Sequence, residues 1–89
     1  MSVRFPNQSR SYDATKSRVC FWGHDGTIEV SFFVVEETLR KLHSETSNTE
    51  EGLLAAFDAV KKRIHEVAAK VYGRARKGSY ACFLSARDF

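Results

Sequence analysis

The stretch EEGLLAAFDAVKKRIHEVAAKVY, residues 50–72, decides the fold. Its apolar residues Leu53, Phe57, Val60, Ile64, Val67 and Val71 are separated by alternating steps of four and three. That spacing is one face of an α-helix. Leu54, Ala68 and Tyr72 widen the stripe to the breadth of a core-facing helix. On the opposite side Asp58, Lys62, Glu66 and Lys70 alternate in sign at four-residue intervals, so neighbours attract weakly. A helix over 50–72 would be about 34 Å long. In an 89-residue chain it must cross the domain, with everything else packed along its stripe.

Working outward, residues 44–49 form the linker before this helix. Asn48 with Glu51 has capping-box spacing, and Thr49 is an alternative cap. Downstream, Gly73 either ends the helix or is tolerated inside it at about 1 kcal/mol. In the second case Gly78 is the stop. Residues 79–85 then alternate as a strand, with Tyr80, Cys82 and Leu84 inward and Ala81 and Phe83 outward.

Upstream, residues 18–34 carry the clearest β pattern. Asp25-Gly26 is a hairpin-turn signal. With those two residues as the turn, Gly23 pairs with Ile28, Phe21 with Val30 and Val19 with Phe32. A four-residue loop, 23–26, shifts the register by two and keeps the same faces; a three-residue loop sets apolar against polar residues and is rejected. Val19, Phe21, Ile28, Val30 and Phe32 are therefore expected to face the helix, with Trp22 on the outer face.

Residues 35–43 read as a short helix. Val35, Leu39 and Leu42 form its stripe, and its acidic start and basic end suit the helix dipole. Residues 2–5 are a candidate edge strand ended by Pro6. The following segment reads as turn and irregular chain, with Tyr12 against the body of the domain. The fold class is α+β: one small antiparallel sheet (hairpin 18–34, strand 79–85, candidate strand 2–5), with a short helix 35–43 and a long helix 50–72 on one face.

Size and composition fit one small domain with a modest core, at 43% hydrophobic and 28% charged residues. No apolar run approaches a membrane span and the N-terminus lacks a signal-peptide pattern, so the expected location is cytoplasmic. Cys20 and Cys82 are then reduced thiols acting as small apolar residues. Net charge is +3, but the middle of the chain is acidic and its last third basic. A basic end can attract polyanions or complement the helix dipole.

Catalytic patterns are thin. His24-Asp25 at a hairpin tip lacks the cleft that general acid–base work needs. The two cysteines and three histidines show no metal-site spacing, and no nucleophile or phosphate-loop motif is present. No enzyme activity, metal or cofactor is expected. Two surfaces remain. Trp22, Phe33 and Phe83 share the outer sheet face, a candidate contact for a homodimer or protein partner. Lys70, Arg74, Arg76 and Lys77, near Tyr72 and Tyr80, are the candidate polyanion site. No helix-turn-helix or RNA-binding signature accompanies them, so nucleic acid is the less favoured partner.

Phe5-Pro6-Asn7, Ser11-Tyr12-Asp13, Phe21-Trp22-Gly23-His24-Asp25-Gly26, Arg76-Lys77-Gly78-Ser79-Tyr80 and Asp88-Phe89 together resemble the domain of unknown function 1488, a family of short bacterial proteins. The similarity runs over nearly the whole chain. It implies a small α+β fold in a soluble bacterial protein and no assigned activity, so no site residue carries over. The expected function is a non-enzymatic protein-interaction or self-association module using the outer sheet face, with polyanion or nucleic-acid binding through residues 70–77 as the alternative.

Overall fold

Alternation along the hairpin sorts its side chains into two layers. In a computed structural model, which describes residues 3–5, 10–44, 49–74 and 81–89, Val19, Phe21, Val30, Phe32 and Val34 are fully buried. The intervening residues Cys20, Trp22, Ser31 and Phe33 are only half-buried. These positions belong to β2 (Arg18–Asp25) and β3 (Ile28–Val35), which pair antiparallel. The strands β1 (Arg10–Asp13) and β4 (Ala81–Leu84) flank them, giving the order β1-β2-β3-β4. Helices α1 (Glu36–Leu42), α2 (Glu50–Ala59) and α3 (Lys61–Arg74) supply Leu39, Leu53, Phe57, Ile64 and Ala68 to the same core as the buried hairpin residues. A short 3-10 turn, Ala86–Asp88, follows β4.

The α+β assignment holds, and four of its details change. First, the sheet is mixed: β4 runs parallel to β3, with Phe33 opposite Phe83 and Val34 opposite Leu84. A parallel neighbour needs a crossover, which the three intervening helices provide. Second, the long helix 50–72 is two helices. Val60 leaves the helical well at φ −115°, ψ 15°, and its N–H is shared between the carbonyls of Ala56 and Phe57. The apolar stripe survives the break, because Leu53 and Phe57 before it and Ile64 and Val67 after it are all buried.

Third, β1 occupies a segment read as irregular chain. It pairs from Arg10 with Phe21 to Asp13 with Arg18. Asp13 Oδ1 accepts from the N–H groups of Thr15 and Lys16, and Ser17 takes φ 49°, which together fold the connection to β2. Fourth, the hairpin register is offset by two. Gly23 faces Val30, Phe21 faces Phe32 and Val19 faces Val34, with Gly26 and Thr27 as the turn. Gly26 has φ +65° and Thr27 does not enter the left-handed region. An Asp25-Gly26 turn of the expected kind would have needed positive φ at Asp25 as well. Faces are unaffected, but Ile28 now sits at the tip opposite Asp25 and is exposed rather than against a helix. Val35 ends β3 instead of joining the α1 stripe and is also exposed.

The caps and the facing of β4 agree with the sequence reading, and the candidate strand 2–5 is reduced to a bridge. Thr49 caps α2, accepting from the Gly52 N–H at 3.0 Å; Asn48 lies outside the described residues. Glu36 and Glu37 open α1 and Arg40 and Lys41 close it. Cys82 and Leu84 point inward, Ala81 and Phe83 outward; Tyr80 lies outside the described residues. Of candidate strand 2–5, residues 3–5 are described and form a single bridge, Arg4 with His24. Its two hydrogen bonds, Arg4 N–H to His24 C=O and the reverse, measure 2.8 and 2.7 Å. The bridge directs Val3 and Phe5 inward. Phe5 stacks on His65 at 4.1 Å with 4° between the planes and also meets Phe21 and Phe32.

Candidate functional site: the outer sheet face

All described helices lie on one side of the sheet, so among the described residues the other side carries what the strands project. From β1 these are Ser11 and Asp13; from β2, Arg18, Cys20, Trp22 and His24; from β3, Glu29, Ser31, Phe33 and Val35; from β4, Ala81 and Phe83. The parallel register sets Phe33 beside Phe83, and their rings stack at 4.9 Å with 25° between planes. Phe83 is 65% exposed. An exposed aromatic of this size leaves most of its apolar surface in water.

Arg18, which the sequence reading did not single out, completes the cluster. Its guanidinium carbon lies 4.0 Å from the Phe33 ring centre and 5.7 Å from that of Phe83. Such a position is attractive because the ring face is electron-rich. Arg18 also reaches Asp13, Nε to Oδ2 at 3.4 Å, in a geometry short of a hydrogen bond. The signal was available: position 18 has the same parity as Cys20 and Trp22 on the one strand. Trp22 shares the face but sits one row away, opposite Ser31, and makes no ring contact with Phe33 or Phe83. Two of the three expected surface residues are thus in contact, and the third is a neighbour.

Val3–Phe5, the described part of the N-terminal arm ahead of β1, bonds along the edge of β2 and turns Val3 and Phe5 to the helix side. Among the described residues, then, the N-terminal arm does not cover the outer face.

The basic stretch is split. Lys70 and Arg74 lie on the last turns of α3, while Arg76 and Lys77 lie outside the described residues. Arg74 Nη2 is 3.8 Å from Asp88 Oδ1. The reactive-group candidates do not converge. Asp25 accepts a 2.5 Å hydrogen bond from the Tyr72 hydroxyl on the helix side, whereas His24 has the outward parity. Cys20 and Cys82 are both free and sit on opposite faces. Burial pushes both thiols up, and for Cys20 nearby Asp13 adds to this while Arg18 opposes it. A thiol shifted upward is a weaker nucleophile at neutral pH. Among the described residues no group of three metal-binding side chains comes together. No described helix is long and apolar enough to cross a membrane.

A four-stranded mixed sheet with helices on one face and an aromatic cluster on the other defines an α+β protein. The chain belongs to the family described as "Protein of unknown function (DUF1488)", whose pattern matches residues 3–84. It is also similar to the crystal structure of a DUF1488-family protein of unknown function from Shewanella loihica PV-4. The identity is 22%, the alignment covers 90% of each chain and the TM-score is 0.76. That likeness shows the fold. No curated protein matches the chain.

Proposed function

We propose that this is a non-enzymatic bacterial cytosolic protein that self-associates, a second copy of the chain packing on the outer sheet face. The observation that carries the reading is the stacked Phe33–Phe83 pair, with Phe83 65% exposed on a face no described helix covers.

The outer face can accept a second copy because it lacks the net charge that keeps copies apart elsewhere. The chain carries +3 overall, so two copies repel at most orientations. The outer face bears Asp13 paired with Arg18, and Arg4 against Glu29 in count, and so lacks the positive excess. A two-fold axis through this patch would set the aromatic pair of one copy on that of the other. Full burial of one Phe stabilises by about 1.5–3 kcal/mol. A micromolar dimer needs about 8 kcal/mol. Phe83 from both copies is therefore insufficient alone, and Phe33 and Trp22 must contribute.

The test is light scattering after size exclusion at micromolar concentrations. Wild type is expected at twice the chain mass and Phe83→Ser at the chain mass, with the circular-dichroism spectrum retained because the side chain lies outside the core. A wild-type monomer across the range, or a Phe83→Ser dimer, refutes the reading.

A further inference from the structure

We propose that the end of α3, β4 and the 3-10 turn together form a binding groove for single-stranded nucleic acid. Lys70, Arg74 and Arg87 would hold its phosphates and the exposed ring of Phe83 would stack on a base. The proposal goes beyond self-association and competes with it, since a base on Phe83 and a second copy on Phe83 exclude each other.

Two shallow grooves meet at this corner of the molecule. One, of about 450 Å³, is lined by Val71, Arg74, Ala81, Cys82, Phe83 and Asp88. The other, of about 500 Å³, is lined by Lys70, Arg74, Arg87 and Asp88. Arg74 and Asp88 are common to both, so the basic corner and the aromatic face are continuous. The two surfaces that looked separate in the sequence join through Arg74 and Phe83.

The charges fit an anion. Three cations face one carboxylate, and Asp88 is already engaged. Its Oδ2 accepts from the Ser85 N–H at 2.8 Å and from the Ser85 hydroxyl at 3.2 Å, fixing the 3-10 turn. Its contact to Arg74 is long at 3.8 Å. Among the described residues Lys70 and Arg87 form no ion pair. Cations on the last turns of α3 also offset the negative end of that helix, which would otherwise repel phosphate.

The aromatic component narrows the class. Phe83 is supported on one face by Phe33, with Arg18 alongside, which makes it a braced platform. A cationic track beside a fixed ring face is the combination that holds single strands, because every base offers a π-face. In a duplex those faces are stacked internally, so Phe83 would add nothing.

Fluorescence anisotropy of a labelled oligothymidylate of about twenty nucleotides, and of a duplex of equal length, tests this. Wild type is expected to bind the single strand more tightly. With three phosphate contacts the slope of log affinity against log salt should be about −2. Lys70→Glu with Arg87→Glu should weaken binding at least tenfold and leave the mass unchanged, since both lie off the self-association face. Phe83→Leu retains apolar area but removes the π-face, and should weaken single-strand binding about fivefold or more, from the per-base stacking range. Four results would each overturn the proposal: no binding at about 50 mM salt, equal affinity for the duplex, an unaffected Phe83→Leu variant, or equal competition by inorganic polyphosphate. Because both readings use Phe83, Lys70→Glu with Arg87→Glu separates them: these cations line the basic groove alone, so that variant should lose the oligonucleotide and keep the wild-type mass.

Discussion

Gly23 sits where the N-terminal segment crosses the inner face of β2, and replacing it by alanine tests how that segment is held. An ideal Cβ at position 23 would lie 2.6 Å from Val3 Cγ2, 2.9 Å from Phe5 Cε1 and 3.0 Å from the Arg4 carbonyl oxygen. Val3 can rotate part of the way out. The Phe5 ring is clamped between His65 and the Phe21–Phe32 pair, and the Arg4 carbonyl accepts the His24 N–H. The segment must therefore shift as a unit. At stake are two backbone hydrogen bonds, each worth about 0.5–1.5 kcal/mol net, and the burial of Val3. Against this, alanine in a strand gains about 0.5–1 kcal/mol over glycine. Gly23→Ala should destabilise by about 1–3 kcal/mol, the usual range for overpacking. In a domain of this size that lowers the thermal midpoint by roughly 5–20 °C. Gly73→Ala is the paired control. Nothing lies within 4 Å of a Cβ there. In α3 the change should stabilise, by up to about 1 kcal/mol. Thermal unfolding followed by circular dichroism reads both. A Gly23→Ala protein as stable as wild type would refute the close approach.

His65 and the β1–α2 ion pair give two further expectations. Burial, and secondarily Lys61, lowers the His65 pKa below its ordinary 6.5. The unfolded chain then binds more protons near that pH, so this contribution is fully present above pH 6.5 and falls away as the solution is acidified below it. Urea midpoints between about pH 7.5 and 5 should fall for wild type and flatten for His65→Phe; parallel curves would exclude His65 as the cause. Arg10 meets Asp58 through two hydrogen bonds, at 3.0 and 2.9 Å, joining β1 to α2. Both side chains are more than a third exposed, so Asp58→Asn should cost at most about 1 kcal/mol and less in high salt. A loss that does not diminish with salt would show that the pair acts by something other than charge.

Much of the fold was legible because burial writes a period into the sequence. The helix stripe Leu53–Val71 and the alternation around Phe21 and Phe32 each identify a buried face, and those faces are buried. What periodicity does not encode is backbone continuity and strand direction. The stripe is the same whether one helix or two carry it, so the break at Val60 was invisible. Inward Cys82 and Leu84 alternate identically in a parallel or antiparallel strand, so the direction of β4 was invisible too. β1 lacks apolar residues at both Arg10 and Ser11 and is held by backbone pairing, which leaves no pattern. The outer-face residues were found by parity alone. The Phe33–Phe83 contact was not, since it depends on register, and Arg18 was missed because its place rests on a cation–ring contact that alternation does not mark.

The place of β4 at the far end of the chain also sets an order of events during synthesis. Phe33 meets Phe83 only after fifty further residues have been made. Until the chain has been extended through Leu84, one whole side of β3 has no strand to bond, and its amides and carbonyls face whatever is nearby. Pairing over such a separation is slow, and bare strand edges invite other chains. The nascent protein thus passes through a stage at which its most apolar strand is also its least protected.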